Sequence, residues 1–239
     1  MRGRVKGGPL SGSAASDIEP TPKALLALQL AAGTGTLAGK VTLNGLAPKL
    51  ANLPVTRDMK VCGNTKSDES LEVSSGGGVK NAVVWFTDVP LPADLKPRKE
   101  RLDQQQCVFL PHVVTAPVGT TVEVVNSDKV LHNVRAQAGE TVLVNFAMPI
   151  PGHVVPINLT KEGTFKVTCE VHPWMRAWLV VLPTPAFADT NDDGMYEIRD
   201  VPAGVHKVKF WHERLGERDA EVDIPADGQV THDVHYTPR

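Results

Sequence analysis

Past residue 32 the chain alternates apolar and polar residues with period two, and turn-forming residues cut the pattern every few positions. That period puts successive side chains on opposite faces of an extended strand, and a helix cannot bury such a pattern on one side. Thr36-Leu-Ala-Gly-Lys-Val-Thr-Leu43 alternates and stops at Asn44-Gly45, a hairpin-type pair. Asn81-Ala-Val-Val-Trp-Phe-Thr87 is strand-like and apolar on both faces. Six more strand-like runs follow between Val108 and Leu182: 108–115, 120–125, 130–136, 141–146, 163–169 and 177–182. Glycine and proline together are 39 of 239 residues, dense punctuation that suits many short strands. The expected fold class is all-β, with a Greek-key β-sandwich in the middle of the chain.

Composition enters as an exclusion. With 25 basic and 27 acidic residues mixed along the chain, the net charge is −2. Such a surface has no electrostatic footprint for nucleic acid or an anionic membrane, so neither is expected as a partner. No apolar run is long enough to span a bilayer. Residues 1–34 read as a flexible leader or as a weak secretory signal. Lys23 precedes the short apolar run 24–32, which Gln29 interrupts, and Asp17 and Glu19 lie in the lead. Only 22–32 carries a helical pattern, and 90–101, rich in proline and charge, reads as a connection.

The chemistry concentrates in Cys169-Glu-Val-His172-Pro-Trp-Met175. A thiolate, an imidazole and a thioether stand within seven residues, at the end of a strand whose alternation points Phe165, Val167 and Cys169 to one face. A tight loop presenting Cys, His and Met suits a trigonal copper site with a weak axial thioether, provided a second imidazole arrives from elsewhere. Leu131-His132-Asn133-Val134, just after the Asn126-Ser-Asp128 turn, offers one. Taken one at a time, these residues read equally well as a buried thiol, two ordinary histidines and a core methionine.

Residues 105–183 resemble a cupredoxin, the type 1 or blue copper proteins. Asn126-Ser-Asp, His132-Asn-Val and the C-x2-H-x2-M loop stand in family order, and the short loop is of the amicyanin-like form, shorter than the plastocyanin-like one. The resemblance implies one type 1 copper with His132, Cys169 and His172 as equatorial ligands and Met175 as the axial one. It implies a supporting role for Asn133, whose backbone would lie near the thiolate. It also implies a redox partner docking near His172, with Pro173 and Trp174 as candidates where the loop reaches solvent. With Cys169 assigned to copper, Cys62 and Cys107 remain as a disulfide or as two thiols. The implied function is single-electron transfer in a periplasmic or extracytoplasmic setting, without enzymatic activity. The alternatives are copper delivery or storage, or a structural or binding sandwich without redox chemistry.

Asp189, Asn191, Asp193 and Asp200 follow a calcium-loop spacing, but strands flank them where helices are needed. Calcium is therefore not expected, and hairpin-turn chemistry is the simpler reading. The run Asp193-Gly-Met-Tyr-Glu-Ile…Val201-Pro-Ala-Gly204 resembles the second half of a carboxypeptidase regulatory-like domain, a transthyretin-like sandwich. Residues 36–45 and 81–86 resemble its first half. The expected organisation is one discontinuous sandwich from 35–95 and 184–237, with the cupredoxin domain, 100–183, inserted between its halves; the alternative is three consecutive modules, with 35–95 extending the cupredoxin sheet. Oligomeric state is not readable.

Overall fold

The computed structural model describes residues 33–92 and 94–238; the leader and its helical run lie almost wholly outside them. All sheets are built from short, largely antiparallel strands. In the middle of the chain, one sheet runs Thr141–Met148, His132–Ala138, Gly163–Thr168, Arg176–Leu182, Val113–Pro117 in spatial order. The facing sheet runs Val154–Asn158, Thr121–Asn126, Lys99–Gln105, Val108–Leu110. Their inner faces share one core, in which Leu102, Phe109, Val122 and Val124 meet Val134, Phe165, Val167 and Leu179.

Two of these strands depart from the sequence expectation. Lys99–Gln105 begins inside the expected connection 90–101 and does not read as a strand, because only Leu102 and Gln104 of its seven residues are buried. The strand exists because its backbone is paired on both sides, parallel to 121–126 and antiparallel to 108–110. Its buried Gln104 amide donates to Val125 O at 3.1 Å, which lifts much of the cost of burying it. Val154–Asn158 is an edge strand that turns Val155 and Ile157 inward, but Val154 and Pro156 on its exposed face hide the alternation in the sequence.

The segments on either side of this sandwich pair with each other. Thr34–Leu43 lies antiparallel to Met195–Pro202 and parallel to Gln229–Thr231 and Val234–Tyr236. Val83–Phe86 lies between Phe187–Asp189 and Gly204–His212, and the latter pairs with Gly216–Ile224. Leu37, Val41, Val84, Phe86, Tyr196 and Phe210 fill the core between these sheets. The two apolar faces of the 83–86 strand have separate tasks. Val84 and Phe86 face this core, whereas Val83 and Trp85 pack with Val113, Val180, Leu182 and Trp211 against the middle sandwich. The Trp178 and Trp211 rings meet edge-on, 5.2 Å apart, across that junction.

One part of 35–95 packs elsewhere. Residues 53–66 form a strap, with Leu53–Pro54 paired to Thr65–Lys66 around the single helical turn Met59–Cys62. Its Val55 and Cys62 lie in the core of the middle sandwich, not in that of the outer sheets.

Candidate metal centre

Three donors converge at one end of the middle sandwich. His132 opens its strand, and Cys169 follows directly on the strand Gly163–Thr168. A tight loop, closed by the Met175 N–H on His172 O at 2.9 Å, returns the chain to the strand that starts at Arg176. Cys169 Sγ lies 4.0 Å from His132 Nδ1 and 3.8 Å from His172 Nδ1, and the two Nδ1 atoms are 2.9 Å apart. Both rings are fully buried and the thiol nearly so. Met175 is buried in the same core.

Each ring is fixed from its far side. His132 Nε2 lies 2.9 Å from Asp128 Oδ2, and His172 Nε2 lies 2.9 Å from Asp58 Oδ2. An ionised carboxylate only accepts, so both Nε2 atoms carry the proton and both Nδ1 atoms face the thiol. Two nitrogen lone pairs at 2.9 Å repel unless a proton or a cation lies between them. With a thiolate beside them, this donor set fits a soft or borderline metal ion.

The electrostatics agree. Burial alone pushes the Cys169 thiol pKa up, yet His132 and the N–H groups of Asn133, His172 and Val171 outweigh it and the pKa is lowered. For His132 burial works downward, and hydrogen bonds to Asp128 and Cys169 reverse it, so its pKa is raised. His172 is lowered, by burial first and then by the nearby His132 charge, with Asp58 opposing. Burial would raise Asp128, but His132 and the N–H groups of Cys107 and Gln106 hold it low. Asn133 donates its backbone N–H to Cys169 Sγ at 3.3 Å. Its side chain binds Asn145 Oδ1 and Phe146 O and accepts from Glu170 N–H, joining the His132 and Cys169 segments.

Cys62 and Cys107 are joined as a disulfide, which leaves Cys169 as the free thiol. Their sulfurs are close to His172 but already bonded, so they are not available as ligands. One expectation needs correction. Trp174 does not reach solvent: it is buried, its indole N–H donates to Cys107 O at 3.0 Å, and its ring lies 5.0 Å from that of His172. His172 is covered as well, which leaves Pro173 as the exposed member of the expected docking set. The acidic residues at 189–200 do not gather into a metal-holding group among the described residues. Asn191 Oδ1 caps a turn by accepting from Asp193 and Met195 N–H, and Asp189 accepts from Thr115 Oγ1 at 2.7 Å. Asp200 stands exposed on the 195–202 strand.

Sequence reasoning missed the roles of Asp128 and Asp58. Asp128 had a usable signal, since it stands four residues before His132 in the Asn-Ser-Asp turn. Asp58 had none.

No protein-family model matches the chain, and no curated protein matches it. Solved structures do. The purple cupredoxin from Nitrosopumilus maritimus is 26% identical over 34% of this chain and 98% of its own, with a TM-score of 0.30. Amicyanin from Paracoccus versutus is 25% identical over 41% of this chain and 96% of its own, with a TM-score of 0.32. A copper-containing nitrite reductase from Thermus scotoductus is 27% identical over 38% of this chain, with a TM-score of 0.32, and the match spans 25% of that enzyme. The matched portion is a distant likeness to cupredoxins, and none of these three matches covers the whole chain.

Proposed function

We propose that this protein is a type 1 copper electron carrier, with His132, Cys169 and His172 as equatorial ligands and Met175 as a weak axial one. The observation that carries this reading is the convergence of one thiol and two Nδ1 atoms in a buried site, each ring anchored through Nε2. Bound copper would supply one-electron chemistry between Cu(I) and Cu(II). The chain's own residues hold the donors in place. Asn133 N–H moderates the thiolate charge, Asp128 and Asp58 orient the imidazoles, and the surrounding core excludes water. Donors fixed in this way need little rearrangement when the charge changes, which is what an electron carrier requires.

Burial of all three donors favours a carrier over a delivery protein, because handing copper to another protein needs a ligand the acceptor can reach. A redox partner would meet the molecule at the His172 end, on Pro173 and the exposed Met59 and Val61 of the strap. We further propose an extracytoplasmic location, supported by the Cys62–Cys107 disulfide. The domain reading is one discontinuous regulatory-like sandwich, 35–95 and 184–237, with the 100–183 domain inserted. Its support is the pairing of 34–43 with 195–202 and of 83–86 with 204–212. The deciding experiment is an optical spectrum of the copper-loaded, oxidised protein. An intense visible thiolate-to-copper band is expected, and a colourless Cu(II) form refutes the reading.

A further inference from the structure

His172 is the donor whose far side faces a segment from outside the ligand-bearing sandwich. The strap 53–66 crosses it, and four contacts hold the strap there. Asp58 Oδ2 accepts from His172 Nε2, and Arg57 Nη1 donates to Val171 O at 3.3 Å in the ligand loop itself. Val55 is buried in the site's core, and Cys62 is bonded to Cys107. Asp58 sits in the left-handed region at φ 51°, where its carbonyl accepts from Val61 and Cys62 N–H. A non-glycine backbone in that conformation is held by its surroundings.

Cys107 links this arrangement to the other histidine. It stands in the 105–108 turn, where Gln106 and Cys107 both have positive φ. The Asp128 carboxylate accepts from both of their N–H groups at 2.7 Å while also holding His132. A continuous frame therefore runs from Asp58 through the disulfide to Asp128, and it fixes the two rings from behind.

We propose that Asp58 is a positioning residue for the metal centre, delivered across His172 by a strap that the Cys62–Cys107 disulfide pins in place. Asp58 holds the Nε2–H tautomer of His172, so that Nδ1 stays turned to Cys169. Its negative charge also makes the ring a stronger donor, which favours the higher oxidation state of a bound copper. This rests on the copper reading above. It extends that reading by making a non-ligand disulfide, 45 residues apart in sequence, a determinant of the site.

The test uses the full chain and three measurements. In the metal-free protein, long-range proton–nitrogen NMR correlations should show His172 as the Nε2–H tautomer, and Asp58→Ala should lose that preference. In the copper-loaded protein, Asp58→Asn should keep the visible band and raise the reduction potential, with Asp58→Glu closer to the native value. Copper affinity should fall about 10–100-fold in Asp58→Ala, the usual effect of removing a ligand's hydrogen-bond partner, and in the same direction in Cys62→Ala/Cys107→Ala. The Asp58 variants leave the disulfide intact and carry the test if the paired cysteine variant does not fold. An Nδ1–H tautomer for His172 overturns the proposal. So does a native potential in Asp58→Asn together with native affinity in Asp58→Ala. A native chain that takes up no copper overturns the electron-carrier reading instead, and the metal-free tautomer measurement then still decides whether Asp58 orients His172.

Discussion

His112 joins the two halves of the molecule, and its removal should change stability in a pH-dependent way. It lies between the strands Val108–Leu110 and Val113–Pro117 of the middle sandwich and is buried. Its Nε2 donates to Glu213, in the turn that follows the strand Gly204–His212 of the outer sheets, and its Nδ1 lies 3.6 Å from Glu69 Oε2. Burial pushes the pKa of His112 down, but the carboxylates of Glu213 and Glu69 outweigh it and raise the value to about 9. At neighbouring His212 burial prevails over the opposing pull of Glu213 and holds it near 4. Because the folded pKa of His112 lies above the unfolded one, its contribution is complete below about pH 6.5 and is lost as pH rises through about 9. The span from 6.5 to about 9, at about 1.4 kcal/mol per pH unit, amounts to about 3 kcal/mol. The assay is urea denaturation of the native protein and His112→Gln across that range. The native protein should be more stable at slightly acid pH by about this amount, and the gap should close in alkaline solution. A gap that stays constant or widens with rising pH refutes the argument.

Cys169→Ser should abolish the visible copper band while leaving far-UV circular dichroism unchanged. Met175→Leu should keep the band and raise the potential, because an axial thioether is a weak ligand that tunes the site without assembling it. Replacing both Cys62 and Cys107 by alanine should lower stability to denaturant by about 4 kcal/mol on the chain-entropy argument, since the bridge closes a 45-residue loop. Gly39→Ala should prevent the outer sheets from assembling, because a Cβ there would lie 2.0 Å from the backbone oxygen of His232. Loss of folded, soluble protein checks it. Leu179→Ala, in the fully buried core of the middle sandwich, should cost about 2–5 kcal/mol in the same denaturation assay.

What could be read without coordinates was local. Alternation over Thr36–Leu43 and Thr120–Val124 identifies strands because each stretch has one buried face and one half-buried one, and burial then follows period two. The Cys169, His172 and Met175 spacing is equally local, set within one short loop, and the alternation before it turns Cys169 inward. The rest was decided by residues far apart in sequence. Lys99–Gln105 is a strand because its neighbours pair with it, not because its side chains alternate strongly. Val83–Phe86 is apolar on both faces because a second sandwich covers the outer one, which periodicity alone cannot show. Trp174 and His172 look like surface residues of a loop until the strap is laid over them. Asp58 lies 114 residues from the ring it holds, and no spacing rule connects them. His112 becomes cationic only because Glu69 and Glu213 are folded against it from two other segments. Periodicity and motif spacing report how one strand or loop divides its own side chains between core and solvent. What covers a donor, and which charge faces it, depends on contacts between distant segments that only the folded chain brings together.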